Sequence, residues 1–171
     1  MKRNGFSLIE LLIVIAIMVT VIALGALGYS TMTRKAGIES QVKQMYADLV
    51  TAQSQALYWK NCRFVTVSGT QFAVYSSSTC DKPLPTTGAI TQKTLKYAVT
   101  SNSTDSICFD QRGVVNLANP TTTDITRTPK AWCTQPNDPD FLTSIVINAT
   151  SIQIGRLSSG GACDRANISI Q

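Results

Sequence analysis

The chain has 171 residues, with 15 lysines and arginines against 10 aspartates and glutamates, five cysteines and no histidine. The missing histidine excludes a histidine-based catalytic triad, a histidine zinc site and a haem held by histidine. The length suits one domain, and 44% hydrophobic residues can furnish a core, but they are concentrated at the front. From Phe6 to Gly28 there are 23 residues with one charge, Glu10, so the mean hydropathy of +0.08 averages an apolar head with a hydrophilic body.

An apolar run of more than about 18 residues can cross the roughly 30 Å hydrocarbon layer as a helix, and Leu8 to Leu27 meets that requirement. Lys2 and Arg3 precede it, which by the positive-inside rule keeps the amino terminus in the cytoplasm and sends residues 30–171 across. An ordinary secretory signal peptide shares the basic start and the small residues Ala23, Gly25 and Ala26, but its apolar core is only about 7–15 residues long. Here the periodicity carries straight on. Ile38, Val42, Met45, Leu49, Ala52, Ala56 and Trp59 recur at steps of three or four, one stripe of an amphipathic helix. Span and stripe read as one helix from about Ser7 to Tyr58 or Trp59, about 80 Å long, with Gly25, Gly28 and Gly37 as weak points. Arg34, Lys35, Lys43 and Asp48 fall among its polar positions.

Glu10 is the anomaly in the apolar run. A carboxylate in hydrocarbon costs about 3 kcal/mol or more unless neutralised or paired. Ser7 is a weak donor, and the nearest downstream cations, Arg34 and Lys35, lie about 36 Å along the axis. The partner is therefore expected from another molecule.

Met1-Lys-Arg-Asn-Gly5 followed by Phe6-Ser-Leu-Ile-Glu10-Leu-Leu-Ile-Val resembles the class III leader and amino terminus of type IV prepilins and type II secretion pseudopilins. The resemblance implies cleavage between Gly5 and Phe6 by a membrane aspartyl peptidase and methylation of the new amino terminus at Phe6. It also implies that Glu10, the fifth mature residue, meets the amino terminus of a neighbouring subunit. Phe6 and Glu10 stand about 6 Å apart along one helix, so each subunit carries one buried cation and one buried anion near the same end. Docking in a filament pairs charges that lipid leaves poorly solvated, and this favours correct axial register.

Beyond Asn61 the pattern turns to short runs rich in β-branched and aromatic residues, broken by Ser, Thr, Gly and Pro. Residues 64–67 and 71–75 flank Ser68-Gly69-Thr70 as a hairpin. Further strands are expected at 94–99, 106–110, 114–117, 131–134, 144–148 and 151–157, with loops at 76–92 and 118–130. Ile107-Cys-Phe-Asp-Gln-Arg-Gly113, then Ser144-Ile-Val-Ile-Asn and Ser151-Ile-Gln-Ile-Gly-Arg156, are similar to the GspH/FimT group of minor pilins and pseudopilins. From the residues alone, Phe109 to Gly113 reads as a β-turn with Gly113 at positive φ. Some members of that group bind DNA through basic residues near a C-terminal Gly-Arg motif, which makes Arg156 and Arg165 the candidate DNA contacts. Two arginines among serines do not form a phosphate-binding track, and losing Lys2 and Arg3 with the leader lowers the formal charge from +5 to +3.

Cys62, Cys80, Cys108, Cys133 and Cys163 all fall on the predicted outer side of the membrane, where disulfides form. Cys62 and Cys80 bracket the first hairpin and are the expected pair; one further bridge is expected among Cys108, Cys133 and Cys163, leaving an odd cysteine. Wide spacing and absent histidine argue against a metal site. Asn137-Asp138-Pro139-Asp140 groups oxygen ligands but reads as a turn without a calcium ladder. No serine stands out as a nucleophile.

The expected fold is α+β and type IV pilin-like, with one long N-terminal helix packed on a mostly antiparallel β-sheet head. Residues 1–5 are a leader, 6–29 the transmembrane and filament-core half of the helix, 30–60 its amphipathic half, and 61–171 the extracytoplasmic head. The expected function is a structural subunit, a minor pilin or pseudopilin, and not an enzyme. Its expected partners are other pilin or pseudopilin subunits, the prepilin peptidase and N-methyltransferase, and the inner-membrane assembly platform. No cofactor, metal, small-molecule substrate or nucleic acid is expected. The expected location is the bacterial inner membrane, single-pass with the head in the periplasm, and then a type IV pilus or type II secretion pseudopilus. A major pilin and a DNA-binding minor pilin for natural transformation remain open as alternatives.

Overall fold

The computed structural model describes residues 7–80, 88–102, 106–116, 129–135 and 140–171, excepting the side chains of 24–28. The expected cleavage junction Gly5–Phe6, most of the expected 118–130 loop and Asn137–Pro139 lie outside the described residues. The chain divides into two compact units, Met1–Gly37 and Ile38–Gln171. One helix, α1, runs Leu8–Trp59. Its end follows from Lys60, whose φ of 54° is a left-handed cap that stops the helix before the first strand.

Among the described residues of the second unit, eight antiparallel strands form one sheet: β1 (Cys62–Ser77), β2 (Ala89–Ser101), β3 (Ile107–Phe109), β4 (Val115–Asn116), β5 (Lys130–Thr134), β6 (Ser144–Ile147), β7 (Ile152–Leu157) and β8 (Ile168–Ile170). Their order across the sheet is β4-β3-β1-β2-β5-β6-β7-β8. A short 3-10 turn, Arg165–Asn167, leads into β8.

Although β1 is continuous by its backbone bonding, it doubles back. The Arg63 guanidinium donates to the Ser76 hydroxyl, and Cys62 Sγ lies 3.9 Å from the Ser78 carbonyl oxygen. A straight strand would hold Arg63 and Ser76 about 43 Å apart at about 3.3 Å per residue. The reversal falls at Gly69, whose φ of 58° suits the expected hairpin turn. One arm, Arg63–Val65, pairs with β3 and the other, around Gln71–Tyr75, with β2.

The helical stripe is buried as its spacing requires: Ile38, Val42, Met45, Leu49, Ala52 and Ala56 are all 0–2% exposed. From Val42 onward they share a core with Phe72, Phe109, Trp132, Ile145 and Ile147 of the sheet. Burial of each large side chain contributes about 1.5–3 kcal/mol. Trp59 departs from the expected stripe, being 52% exposed, and its ring stacks on the Arg63 guanidinium, which lies 4.8 Å from the ring centroid. Alternation along β5 and β6 sends Ala131, Cys133 and Val146 to the other face, where they meet Leu157 and Ile168 in a second small core.

Apolar burial is non-directional, so polar ties fix the helix on the sheet. Gln41 accepts from Tyr97 N at 2.9 Å and donates to Tyr97 O at 2.8 Å. It satisfies β2 backbone where the β1 ladder jumps from Gly69↔Val99 to Gln71↔Thr94. Lys93 Nζ reaches both Asp48 carboxylate oxygens at 2.8 Å, and the Leu142 amide donates to Glu39 at 3.2 Å.

The turn after β3 is the fourth tie. Gly113 N donates to Asp110 O at 2.9 Å with Gly113 at φ 72°, as expected from its sequence. Gln53 donates to Gly113 O at 2.8 Å, and a Cβ on Gly113 would meet the Leu57 side chain at 2.8 Å. Asp110 Oδ1 accepts from the amides of Arg112 and Val114 at 2.8 and 2.9 Å. Burial alone would raise the Asp110 pKa, but those amides, and then the Arg112 guanidinium, outweigh it and hold the carboxyl below its usual range. The amides matter more than the ion pair, because Arg112 is 83% exposed and screened.

The sheet corrects the expected strand map at two places. β2 begins at Ala89 instead of Thr94, taking in part of the expected loop, and β8 was not expected at all. β8 depends on Gly155 in β7, where a Cβ would meet Ile168 Cγ2 at 2.5 Å and Ser169 O at 2.6 Å.

Gly155→Ala is expected to cost about 1–3 kcal/mol through overpacking against backbone that cannot give way. Its signature is faster amide exchange confined first to β8; unchanged β8 protection would contradict the close approach. For Asp110, whose folded pKa is depressed, the stabilisation is present above the unfolded value near 3.9 and is lost as pH falls through the folded value. The urea midpoint of the wild-type chain should therefore converge on that of Asp110→Ala as the solution is acidified, and a pH-independent gap would refute it.

Candidate assembly site

The first unit holds the residues that the sequence singles out for assembly. Helix α1 opens on Ser7, whose carbonyl accepts from the amides of Glu10 and Leu11 at 3.0 and 3.2 Å. Glu10 thus occupies the first turn, where a carboxylate is favoured by the helix dipole, and its side chain is exposed. The large apolar side chains from Leu8 to Ile22 are also exposed on every side, from 42% at Val14 to 81% at Leu8. A helix apolar all round is not a surface helix of a water-soluble domain. The described side chains of this run stop at Ala23, and among the described residues no helix is long and apolar enough to cross a membrane.

One bridge differs from expectation, and the other falls among Cys108, Cys133 and Cys163 as expected. Cys80 is bridged to Cys108, not to Cys62, and Cys133 is bridged to Cys163. Cys62 is buried and lies in neither bridge. The reason is placement: reversal of β1 brings Cys62 beside Cys80, but β3 lies alongside the first arm with Cys108 opposite Phe64, so a third sulfur enters the same space. The three Sγ atoms of Cys62, Cys80 and Cys108 lie within 4.8 Å of one another. With two of them joined to each other, the group does not present the set of thiolates that a zinc site needs. The second bridge clips the C-terminal segment over the smaller core, where Cys133 and Cys163 meet.

The two candidate DNA contacts sit at the C-terminal corner and are engaged there. Arg156 is exposed on β7 opposite Ser169; with the Gln171 amide turned to present its oxygen, Arg156 Nε and Nη2 donate to it at 3.1 and 2.7 Å. Arg165 Nη1 donates to Ile168 O at 3.1 Å. Sequence reasoning passed over Arg63, which is only 2% exposed, donates to Gln55 Oε1 at 3.4 Å and lies against Trp59. Burial pushes its guanidinium below the ordinary arginine pKa. The signal available for it was its position between the helix end and the hairpin.

A family model described as the prokaryotic N-terminal methylation motif matches residues 1–26. None of the curated proteins matches the chain in sequence. Among solved structures, the chain is similar to the type IV minor pilin FimU of Pseudomonas aeruginosa strain PAO1, at 14% identity and a TM-score of 0.48, over 72% of this chain and 91% of that one. The family match is confined to this N-terminal stretch, which contains Glu10 and most of the apolar run.

Proposed function

We propose that the chain is a structural subunit, a minor pilin or pseudopilin, of a type IV pilus or a type II secretion pseudopilus, and that it does no catalysis. The observation that carries this reading is the methylation motif over residues 1–26 running into a helix apolar on all sides with a single acid, Glu10. In this reading a prepilin peptidase removes residues 1–5 and methylates Phe6. Residues 6–29 anchor the chain in the bacterial inner membrane, 30–60 and 61–171 form the periplasmic head, and the assembly platform moves the subunit into a filament of pilins.

The chemistry of assembly rests on two charges. Cleavage leaves an ammonium on Phe6, and methylation keeps its charge; Glu10 lies about 6 Å further along the helix axis. In lipid both charges are poorly solvated, whereas in a filament the Glu10 of one subunit meets the amino terminus of the next. The apolar surface around them supplies adhesion without direction, and the ion pair supplies register. The engagement of Arg156 with Gln171 and of Arg165 with Ile168 O weighs against a DNA-binding role for that corner. A major pilin would share the same leader and helix and differ in abundance in sheared filaments.

Glu10→Ala is expected to insert in the membrane and to be cleaved after Gly5 normally. Losing one partner of a buried pair costs about 3–5 kcal/mol, so recovery in sheared filaments or isolated pseudopilus complexes should fall more than about tenfold. Normal recovery of the Ala variant would rule out the pairing, and a mature chain beginning beyond Ala26 would rule out the subunit reading itself.

A further inference from the structure

We infer that Cys62, Cys80 and Cys108 form an exchangeable sulfur triad, in which the head interconverts between a Cys80–Cys108 and a Cys62–Cys80 disulfide. The geometry is that of a thiol held against a bridge: all three Sγ atoms fall within 4.8 Å of one another, and all three residues are buried in one cluster with Phe64 and Tyr75. Cys62 belongs to neither bridge of the head. Thiol–disulfide exchange needs an attacking sulfur, a disulfide within reach and a leaving sulfur, and the cluster supplies each.

The step is balanced within the chain. Cys62 gives up its proton, and its sulfur attacks Cys80 Sγ. A Cys62–Cys80 bond forms, the Cys80–Cys108 bond breaks, and the departing Cys108 thiolate takes up a proton. The oxidation level of the three sulfurs is unchanged, so no outside oxidant or reductant enters. Attack on Cys80 is favoured over attack on Cys108 by the sheet register. Phe64 is directly opposite Cys108, and Arg63 opposite Phe109, which makes a Cys62–Cys108 link a diagonal one. Diagonal pairs have Cα atoms about 7–8 Å apart, beyond the usual limit of about 7 Å for a disulfide. Cys62 Sγ already touches the chain at Ser78 O, two residues before Cys80.

The two isomers staple different parts of the head. A Cys80–Cys108 bond ties the end of the doubled β1 to β3, and through the turn at Asp110–Gly113 to the side of α1 near Leu57. A Cys62–Cys80 bond instead closes the open end of the β1 hairpin on itself and leaves β3 and β4, the edge of the sheet, held by non-covalent contacts alone. Exchange is thus a device for covalently fastening or releasing one sheet edge.

The test uses the full chain purified in detergent without reductant, incubated at neutral pH, quenched with acid, then alkylated with N-ethylmaleimide in denaturant and mapped by non-reducing digestion. The expected result is two populations: Cys80–Cys108 with alkylated Cys62, and Cys62–Cys80 with alkylated Cys108, while Cys133–Cys163 stays intact. Cys108→Ser should form the Cys62–Cys80 bridge in the folded chain, and Cys62→Ser should retain only Cys80–Cys108. Alkylation of Cys62 alone, with both Cys62 and Cys80 alkylated in Cys108→Ser, would overturn the proposal. So would bridges from the triad to Cys133 or Cys163, which would mark scrambling through unfolding.

Discussion

A helix that is apolar on every side cannot stay in water, and a helix that is apolar along one stripe must find a sheet or another helix to cover it. Both conditions are written into the single element α1. Up to Ile22 its large described side chains are exposed on all faces, whereas from Ile38 to Ala56 one stripe is withdrawn from solvent entirely. The first condition is met only by lipid or by other molecules; the second is met by the chain's own sheet. On our proposal for its function, this difference divides the molecule into an assembly half and a folded head, and it is why Glu10, the acid in the first half, carries the specificity of assembly.

Within the head, the stripe supplies energy and the polar ties supply register. Apolar burial of Val42, Leu49 and Ala56 is non-directional and does not by itself fix where along the sheet the helix sits. Gln41 on the Tyr97 backbone, Asp48 on Lys93, Glu39 on the Leu142 amide and Gln53 on the Gly113 carbonyl would each lose a partner if the helix slid by a turn. A buried or half-buried polar group left unmatched costs about 1–3 kcal/mol, so four separate ties penalise the slipped arrangement more than apolar contact rewards it.

The elements legible in the sequence are those specified by local chemistry. The bounds of α1 follow from its unbroken periodicity and the change of pattern at Asn61. The β1 reversal follows from Gly69 between two β-branched runs, and the Asp110–Gly113 turn from an acid and a glycine three residues apart. Elements defined by a neighbour were not legible. The first half of β2, Ala89-Ile-Thr-Gln-Lys, has too few apolar residues to announce a strand and is held by its pairing with β1. β8 is three residues long and exists because Gly155 lets it close on β7. Glu10, the candidate assembly residue, stands out in the sequence for the opposite reason: a lone acid in an apolar run violates the local rule, and such a violation points outside the chain.

The cysteines mark the boundary between these two kinds of information. Sequence places all five beyond the apolar run and brings Cys62 next to Cys80 by reading the hairpin, and the structure does put those sulfurs close together. The actual bridge was decided by β3 arriving beside the first arm of β1 with Cys108 opposite Phe64, a contact between strands more than forty residues apart. The C-terminal bridge has the same origin: Cys133 points to the face away from α1 because β5 alternates, and Cys163 meets it only because the last segment folds across that face. Disulfide pairing in a thin sheet of short strands is therefore a consequence of strand order and facing. Where register leaves three sulfurs in one space, strand order limits the choice of pair, and the exchange we infer runs between the two pairs that share Cys80.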